Sequence, residues 1–127
     1  MANVLVLDDV LDAVILLRRI LEKKGHQVVG FTEEEEAIAH VKTNRVDLVI
    51  LDIKLKKMDG VEVLAEMKKA DSQIRAIMLT GYPTLESARE SLQLGASEYC
   101  VKPIDKEEIE EKVEKVLEQR KAELLRL

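Results

Sequence analysis

The sequence predicts a single α/β domain in which five parallel strands form a doubly wound sheet with helices on both faces. Five short apolar segments alternate along the 127 residues with five longer amphipathic segments, which is the order of repeated β-α units. The apolar segments lack polar alternation, as is typical of strands buried on both faces. Because crossovers between parallel strands are right-handed, few topologies remain for such a chain.

The strands are predicted from the short apolar runs. Four of the runs have the length of a strand and the second is shorter, and each is followed by a turn residue or a polar side chain. The third is the most apolar segment of the chain, and it stops at Asp52. In chain order, the predicted strands are residues 4–7, 28–29, 46–51, 74–79 and 98–101.

The helices are predicted from apolar spacing and from residues typical of helix ends. Gly25 and Gly95 follow the first and fourth helical segments, at the position where glycine commonly closes a helix. Asp59 and Asp105 precede the third and fifth, where an Asp side chain caps the first turn. In chain order, the predicted helices are residues 11–24, 32–42, 61–69, 84–94 and 105 to the end.

The second helix carries two further expectations. Thr32 followed by Glu35 has the spacing of a capping box, so we expect the helix to begin there. The acidic run at residues 33–36 is most simply a solvated helix N-terminus, where the helix dipole favours negative charge.

The last helix is longer than a sheet of this size needs. From Asp105 to the end of the chain it would extend about 34 Å. We therefore assign residues 1–118 to the domain and residues 119–127 to an extension of the last helix, a candidate linker to a further segment. Residues 117–127 are expected to project beyond the domain.

Composition argues against several classes of protein. The net charge is −5 and no basic patch is visible, so direct binding to nucleic acid is not expected. Cys100 is the single cysteine, which fits a reducing compartment. Since no apolar stretch reaches the roughly 20 residues of a membrane span and no signal peptide is evident, we expect a cytoplasmic protein without membrane contact.

Polar side chains follow four of the five predicted strands. Asp8 and Asp9 follow the first strand, Asp52 the third, Thr80 the fourth and Lys102 the fifth. Ligands of open α/β sheets bind at the carboxyl ends of the strands. We therefore expect these five side chains to lie at one edge of the sheet.

Such a group of side chains is suited to phosphoryl transfer. Crowded carboxylates repel one another, and Mg²⁺, which prefers oxygen ligands, resolves that repulsion. A carboxylate such as Asp52 can act as a nucleophile and form an acyl phosphate. Lys102 and Thr80 can then contact phosphate oxygens through an ammonium and a hydroxyl. The sequence thus predicts a Mg²⁺-dependent phosphoryl-accepting site.

Each of these residues also has an ordinary structural interpretation when it is considered alone. Asp8 and Asp9 could cap the helix that follows, and Asp52 could be a turn residue. Thr80 could simply end a strand, and Lys102 could lie on the surface. However, an acid directly after so apolar a run needs a partner, and the joint pattern favours the site.

The chain resembles the receiver domains of two-component response regulators over about residues 2–118. The likeness rests on short motifs that occur in the right order, each at or near the end of its own strand. They are VLVLDD at residues 4–9, LD at 51–52, MDG at 58–60, LTG at 79–81, GA at 95–96 and YCVKP at 99–103.

The resemblance implies a flavodoxin-like strand order, 2-1-3-4-5, and a specific set of ligands. Asp52 would accept the phosphoryl group from a phosphohistidine of a sensor histidine kinase or phosphotransfer protein. Asp8, Asp9 and Asp52 would bind Mg²⁺ together with the backbone carbonyl of Lys54. Lys102 would contact the phosphate, and its bond to Pro103 would be cis.

The resemblance also implies a switch. The Thr80 hydroxyl would move toward the phosphate and the Tyr99 ring would turn inward behind it. The surface of the fourth helix, fifth strand and fifth helix would then change and control a downstream effector domain or protein. No enzymatic activity is expected beyond Mg²⁺-dependent self-phosphorylation from a phosphodonor and self-dephosphorylation. On its own, Tyr99 could also be half-buried packing on an edge strand, and we favour the switch role.

Two rival functions remain on this architecture. A Mg²⁺-dependent phosphatase with an aspartyl nucleophile would need a general acid soon after Asp52, and the nearest acid is Asp59. No inserted cap domain is visible either. A flavin or nucleotide binder would need a glycine- or hydroxyl-rich loop after the first strand, where this chain has Asp8 and Asp9.

Two details bear on lifetime and assembly. Lys54 and Tyr82 lie two residues after Asp52 and Thr80, where long side chains could shield an acyl phosphate, so we expect slow self-dephosphorylation.

A homodimer through the last helix stays open as well. Apolar positions fit part of a seam, although basic residues interrupt it. These positions are Val113, Leu117 and Leu124, and the interrupting residues are Arg120 and Lys121.

Overall fold

The computed structural model describes residues 1–126 and contains the predicted alternation of strands and helices. The strands are β1 (Asn3–Leu7), β2 (Gln27–Phe31), β3 (Leu48–Asp52), β4 (Arg75–Thr80) and β5 (Glu98–Val101). The helices are α1 (Leu11–Lys23), α2 (Glu34–Thr43), α3 (Gly60–Ala70), α4 (Leu85–Gln93) and α5 (Lys106–Leu124). Over the described residues, none of these helices is both long and apolar enough to cross a bilayer.

The five strands form one parallel sheet in the order β2-β1-β3-β4-β5, as predicted. β3 therefore lies at the centre, with β1 on one side and β4 on the other. The strand ends are level, because Leu7 pairs with Leu51 and Asp52 pairs with Leu79. Parallel strands in level register bring the residues that follow them to one edge of the sheet.

The sheet separates two aliphatic core layers. α1 and α5 cover one face with side chains such as Val14, Leu17 and Val113. α2 and α3 cover the other, where Leu64 and Met67 are fully buried. With aromatics at only 2% of the chain, small branched side chains fill both layers, and tight packing of both faces holds the strand ends in place.

Most helix ends follow the predicted chemistry. Asp59 caps α3 by accepting from the N–H groups of Val61 and Glu62, and Asp105 caps α5 in the same way. Gly25 and Gly95 both have positive φ after α1 and α4, a conformation that glycine adopts without steric cost.

The predicted start of α2 is wrong. The helix begins at Glu34 with Glu33 as its N-cap, and no side chain caps it. The expectation that all four acids are solvated is also wrong, because Glu34 is only 1% exposed. The cause is tertiary: the Glu34 carboxylate accepts hydrogen bonds from a distant loop instead of facing water.

The predicted projection of the last helix is wrong for most of its length. Arg120 donates to Asp47 at 2.9 Å and to the carbonyl of Gln73 at 3.3 Å, and Arg75 pairs with Glu123. These ion pairs hold the distal turns of α5 against the amino-terminal edge of the sheet. Position 127 lies outside the described residues.

The packing of α5 also removes part of the predicted dimer seam. Val113 is 1% exposed and lies in the core between α1, α5 and the sheet. Leu117 packs against the same core. Both side chains are therefore used within the chain, and the homodimer stays a prediction without their support.

We predict that Arg120→Ala lowers the free energy of unfolding by about 2 kcal/mol, because a nearly buried Asp47 carboxylate loses the closer of its two ion-pair partners. Urea denaturation measures the change. The matched control is Arg18→Ala, which removes an exposed pair with Glu22 and should cost less than about 0.5 kcal/mol. Equal losses in both variants would contradict a structural role for the α5 ion pairs.

Candidate phosphoryl-accepting site

Asp8, Asp9, Asp52, Thr80 and Lys102 lie at the carboxyl edge of the sheet, at the ends of four neighbouring strands. Asp8, Asp52 and Thr80 are each at most 5% exposed, whereas Asp9 and Lys102 are partly exposed. The site thus combines three buried side chains with two that solvent can reach.

The three carboxylates are close enough to share one cation. One oxygen from each of Asp8, Asp9 and Asp52 lies within 4.8 Å of the other two. Lys102 Nζ is next to them, 2.7 Å from Asp8 Oδ2 and 3.2 Å from Asp52 Oδ2. An all-oxygen donor set of this kind fits Mg²⁺, which takes one or two carboxylates and completes its shell with water or phosphate oxygens.

The electrostatics of the pocket are strongly coupled. Burial raises the pKa of Asp52, the neighbouring Asp8 carboxylate raises it further, and Lys102 opposes both effects. Burial by itself lowers the pKa of Lys102, but its hydrogen bond to Asp8 and the charges of Asp8 and Asp52 outweigh burial, so this pKa lies above its ordinary value. Lys102 therefore stays charged and compensates part of the acidic charge.

Backbone N–H groups orient two of the carboxylates. Val10 N donates to Asp8 Oδ1 at 2.9 Å, and Lys54 N donates to Asp52 Oδ1 at 3.1 Å. In each case the chain turns directly after its strand, so an amide two residues on reaches the acid. The second oxygen of each acid accepts from Lys102.

Thr80 and Lys102 are linked through the backbone. Lys102 N donates to the carbonyl of Thr80 at 2.7 Å, while Thr80 Oγ1 accepts from Tyr82 N at 3.0 Å. The Lys102–Pro103 bond is cis, as predicted. The β4 and β5 ends thus supply a hydroxyl and an ammonium, and the ammonium bridges Asp8 and Asp52.

Tyr99 lies outside the carboxylate group. Its ring is partly buried against the α2–α3 side of the core, and its hydroxyl lies 3.1 Å from Ser87 Oγ. Ser87 belongs to the first turn of α4, where it forms a capping box with Thr84. Tyr99 therefore connects β5 to the start of α4.

Lys54 and Tyr82, which were predicted to shield the site, contact each other. Lys54 Nζ lies 4.9 Å from the centroid of the Tyr82 ring, within the range of a cation–π interaction. Tyr82 is 71% exposed. The pair joins the loop after β3 to the loop after β4 on the solvent side of these strand ends.

Three residues near the site were not identified from sequence. Ser87 is the partner of Tyr99, and Glu34 holds the loop after β3. At Gly60, a Cβ atom would collide with the backbone oxygen of Asp52, so only glycine fits. Gly60 could have been suspected from its place in the MDG motif, whereas Glu34 resembles the acids beside it.

Comparison with known proteins identifies the family. The family profile described as the response regulator receiver domain matches residues 4–114. The chain belongs to the response regulator receiver domain family. Receiver domains are phosphorylation-dependent signalling switches of two-component systems, so the function class predicted from sequence is confirmed and the phosphatase alternative is not favoured.

Several relatives align over most of this receiver domain. Sporulation initiation phosphotransferase F of Bacillus subtilis (strain 168) is 40% identical over 115 residues, which cover 91% of this chain and 93% of that protein. Transcriptional regulatory protein ZraR of Salmonella typhimurium is 32% identical over 91% of this chain, but the aligned part is only 26% of that protein.

Solved receiver structures have the same fold. A CheY-like receiver domain protein from Methanospirillum hungatei JF-1 superimposes with a TM-score of 0.93 at 31% identity, covering 97% of this chain and 98% of that chain. CheY in the CheX-CheY-BeF3-Mg²⁺ complex from Borrelia burgdorferi gives a TM-score of 0.85 at 30% identity, covering 91% and 88% respectively.

We predict that Gly60→Ala lowers the free energy of unfolding by about 1–3 kcal/mol, because the new methyl group meets backbone that cannot move without displacing Asp52. Gly81→Ala is the matched control beside the same site, since its Cβ would meet only Lys102 at ordinary contact distance. Its cost should stay below about 0.5 kcal/mol. Urea denaturation of the two variants tests the difference, and equal stability would contradict it.

Proposed function

We propose that Asp52 accepts a phosphoryl group from the phosphohistidine of a sensor histidine kinase or phosphotransfer protein. One carboxylate oxygen attacks phosphorus, the bond between phosphorus and the donor breaks, and the donor leaves with the bonding electrons. The observation that carries this proposal is the approach of Asp8, Asp9 and Asp52 to within 4.8 Å beside Lys102.

The position of Asp52 supports its role as the acceptor. It ends the central strand, with two further acids after β1 on one side and Thr80 and Lys102 after β4 and β5 on the other. A phosphoryl group on Asp52 would thus lie between a cation-binding side and a side that donates hydrogen bonds. Asp8 and Asp9 instead follow β1, which does not pair with β4.

We further propose that Asp8, Asp9 and Asp52 hold Mg²⁺ together with the backbone carbonyl of Lys54. The ion, when bound, would neutralise charge that develops on the transferring phosphoryl group. Lys102 now pairs with Asp8 and Asp52. In the phosphorylated state its ammonium would instead contact a phosphate oxygen, and the Thr80 hydroxyl would donate to another.

The switch that follows would use Thr80 and Tyr99. If the Thr80 hydroxyl moves toward the phosphate, it would give up the hydrogen bond that it accepts from Tyr82 N. If the Tyr99 ring turns inward, its hydroxyl would give up the hydrogen bond with Ser87. Phosphate contacts made only in one arrangement shift the population toward it. The α4-β5-α5 surface exposes large apolar side chains such as Leu85, Leu92 and Val101, which suits a partner that senses the change.

We infer that this partner is an effector domain or protein and that the domain works in the cytoplasm. The chain spans about a quarter of ZraR, a transcriptional regulatory protein. This similarity favours an effector domain that lies in the same polypeptide as the receiver. The similarity to sporulation initiation phosphotransferase F, most of which the chain covers, favours a receiver that passes the phosphoryl group on.

We predict that acetyl phosphate with Mg²⁺ adds one phosphoryl group to the protein and that Asp52→Asn abolishes the adduct. In the donor reaction the bond between phosphorus and the acetyl oxygen breaks and acetate leaves. Intact-protein mass measured with Mg²⁺ and with chelator tests this. Asp59→Asn is the matched control, because Asp59 only caps α3 and its loss should leave the adduct. An adduct on Asp52→Asn would contradict the assignment.

We also predict slow self-dephosphorylation, because the Lys54–Tyr82 pair joins the loops that follow β3 and β4 and would shield an acyl phosphate on Asp52 from water. Lys54→Ala and Tyr82→Ala should each shorten the lifetime of the phosphorylated form severalfold, as followed by intact mass after donor removal. Leu85→Ala truncates an equally exposed side chain nearby and should leave the lifetime unchanged. Loss of the group from the unmodified protein within seconds would overturn the idea.

A further inference from the structure

Glu34 is a buried acid that lies outside the phosphoryl-accepting site and has no ion-pair partner among the described residues. Its exposed fraction is 1%, whereas the neighbouring Glu33 and Glu35 are exposed. It occupies the first residue of α2, where the helix dipole favours a negative charge. An acid so fully removed from water requires strong hydrogen-bond donors.

Those donors come from the loop between β3 and α3. Glu34 Oε2 accepts from Lys57 N at 2.7 Å and from Met58 N at 3.1 Å. Burial alone raises the pKa of Glu34, but hydrogen bonds from its own N–H and from those of Lys57 and Met58 outweigh burial, so its pKa lies below its ordinary value. The carboxylate is therefore charged, and it binds the loop by charge-assisted hydrogen bonds.

The same loop borders the site. Lys54 N donates to Asp52 Oδ1 at one end of the loop, and Gly60 N donates to the carbonyl of Ile53 at 2.7 Å, which closes the loop at the other. Between these two points, Glu34 supplies the side-chain bonds that fix the middle of the loop. If the middle moves, Lys54 moves with it, and the Asp52 carboxylate loses the N–H that orients it.

We propose that Glu34 is a positioning residue for the phosphoryl-accepting site, acting from α2 through the β3–α3 loop to hold Asp52 and the Lys54 backbone in their metal-binding arrangement. The inference rests on the proposed function, since it assigns a support for that same site. Glu34 contacts neither metal nor phosphate in this role. Partners that orient metal ligands typically change metal affinity by about 10- to 100-fold when they are removed.

The test compares Glu34→Ala, Glu34→Gln and the neighbouring exposed control Glu35→Ala. Glu34→Ala removes both hydrogen bonds and should weaken Mg²⁺ affinity about tenfold. Glu34→Gln retains a carbonyl oxygen that can accept from both N–H groups, so it should restore affinity close to that of the unmodified protein. Mg²⁺ affinity is measured without any phosphodonor, by titration of backbone amide NMR signals.

A second measurement follows the loop itself. Amide hydrogen exchange of Lys57 and Met58 in metal-free protein should accelerate in Glu34→Ala and stay protected in Glu34→Gln and Glu35→Ala. Faster exchange with unchanged Mg²⁺ affinity would show that Glu34 only stabilises the loop, and it would overturn the inference. Phosphorylation of Glu34→Ala should slow at limiting Mg²⁺ and recover at saturating Mg²⁺, as a positioning role requires.

Glu34→Asp provides the decision if Glu34→Ala does not fold. It retains the charge at the helix N-terminus but is one methylene too short to reach both N–H groups, so it should also bind Mg²⁺ more weakly. The inference would be overturned if Glu34→Asp folds, exchanges its Lys57 and Met58 amides rapidly and still binds Mg²⁺ as tightly as the unmodified protein. If the unmodified protein forms no adduct at Asp52, the proposed function is overturned as well. If the unmodified protein forms the adduct and the Glu34 variants bind Mg²⁺ with unchanged affinity, only the inference is rejected.

Discussion

The electrostatic balance among Asp8, Asp9, Asp52 and Lys102 governs the carboxyl edge of the sheet. Three carboxylates within 4.8 Å destabilise one another, and one ammonium bridging two of them offsets only part of that repulsion. The site is therefore a place where the fold tolerates unfavourable charge. Such a site favours the binding of a divalent cation, which offsets the repulsion between the carboxylates.

The surrounding fold holds these charges in place from beneath. Two aliphatic layers pack on opposite faces of the sheet, so the strand ends have little freedom. The loop after β3, by contrast, is held by individual polar contacts from Glu34, and a single side-chain contact between Ser87 and Tyr99 links α4 to β5. The molecule thus combines a tightly packed sheet with surrounding segments held by few hydrogen bonds, which suits a switch whose two states differ by a few contacts.

The accuracy of sequence-based inference varied with the range of the interaction. The caps at Asp59 and Asp105 and the glycines after α1 and α4 were predicted, because each depends on neighbours within a few residues. The solvated acidic run was wrong because the donors to Glu34 lie 23 and 24 residues away. The projection of α5 was wrong for a similar reason, since Asp47 is far from Arg120 in sequence.

The sequence by itself determined the order of strands and helices, the aliphatic character of the core and the set of polar residues at the strand ends, because periodicity and strand-end position are local properties. Only the tertiary structure decided which of those groups touch, which acid is buried and where α5 lies. Burial and pairing of charge depend on what another part of the chain brings within about 4 Å. No local pattern distinguishes Glu34 from Glu35, and only the folded loop does.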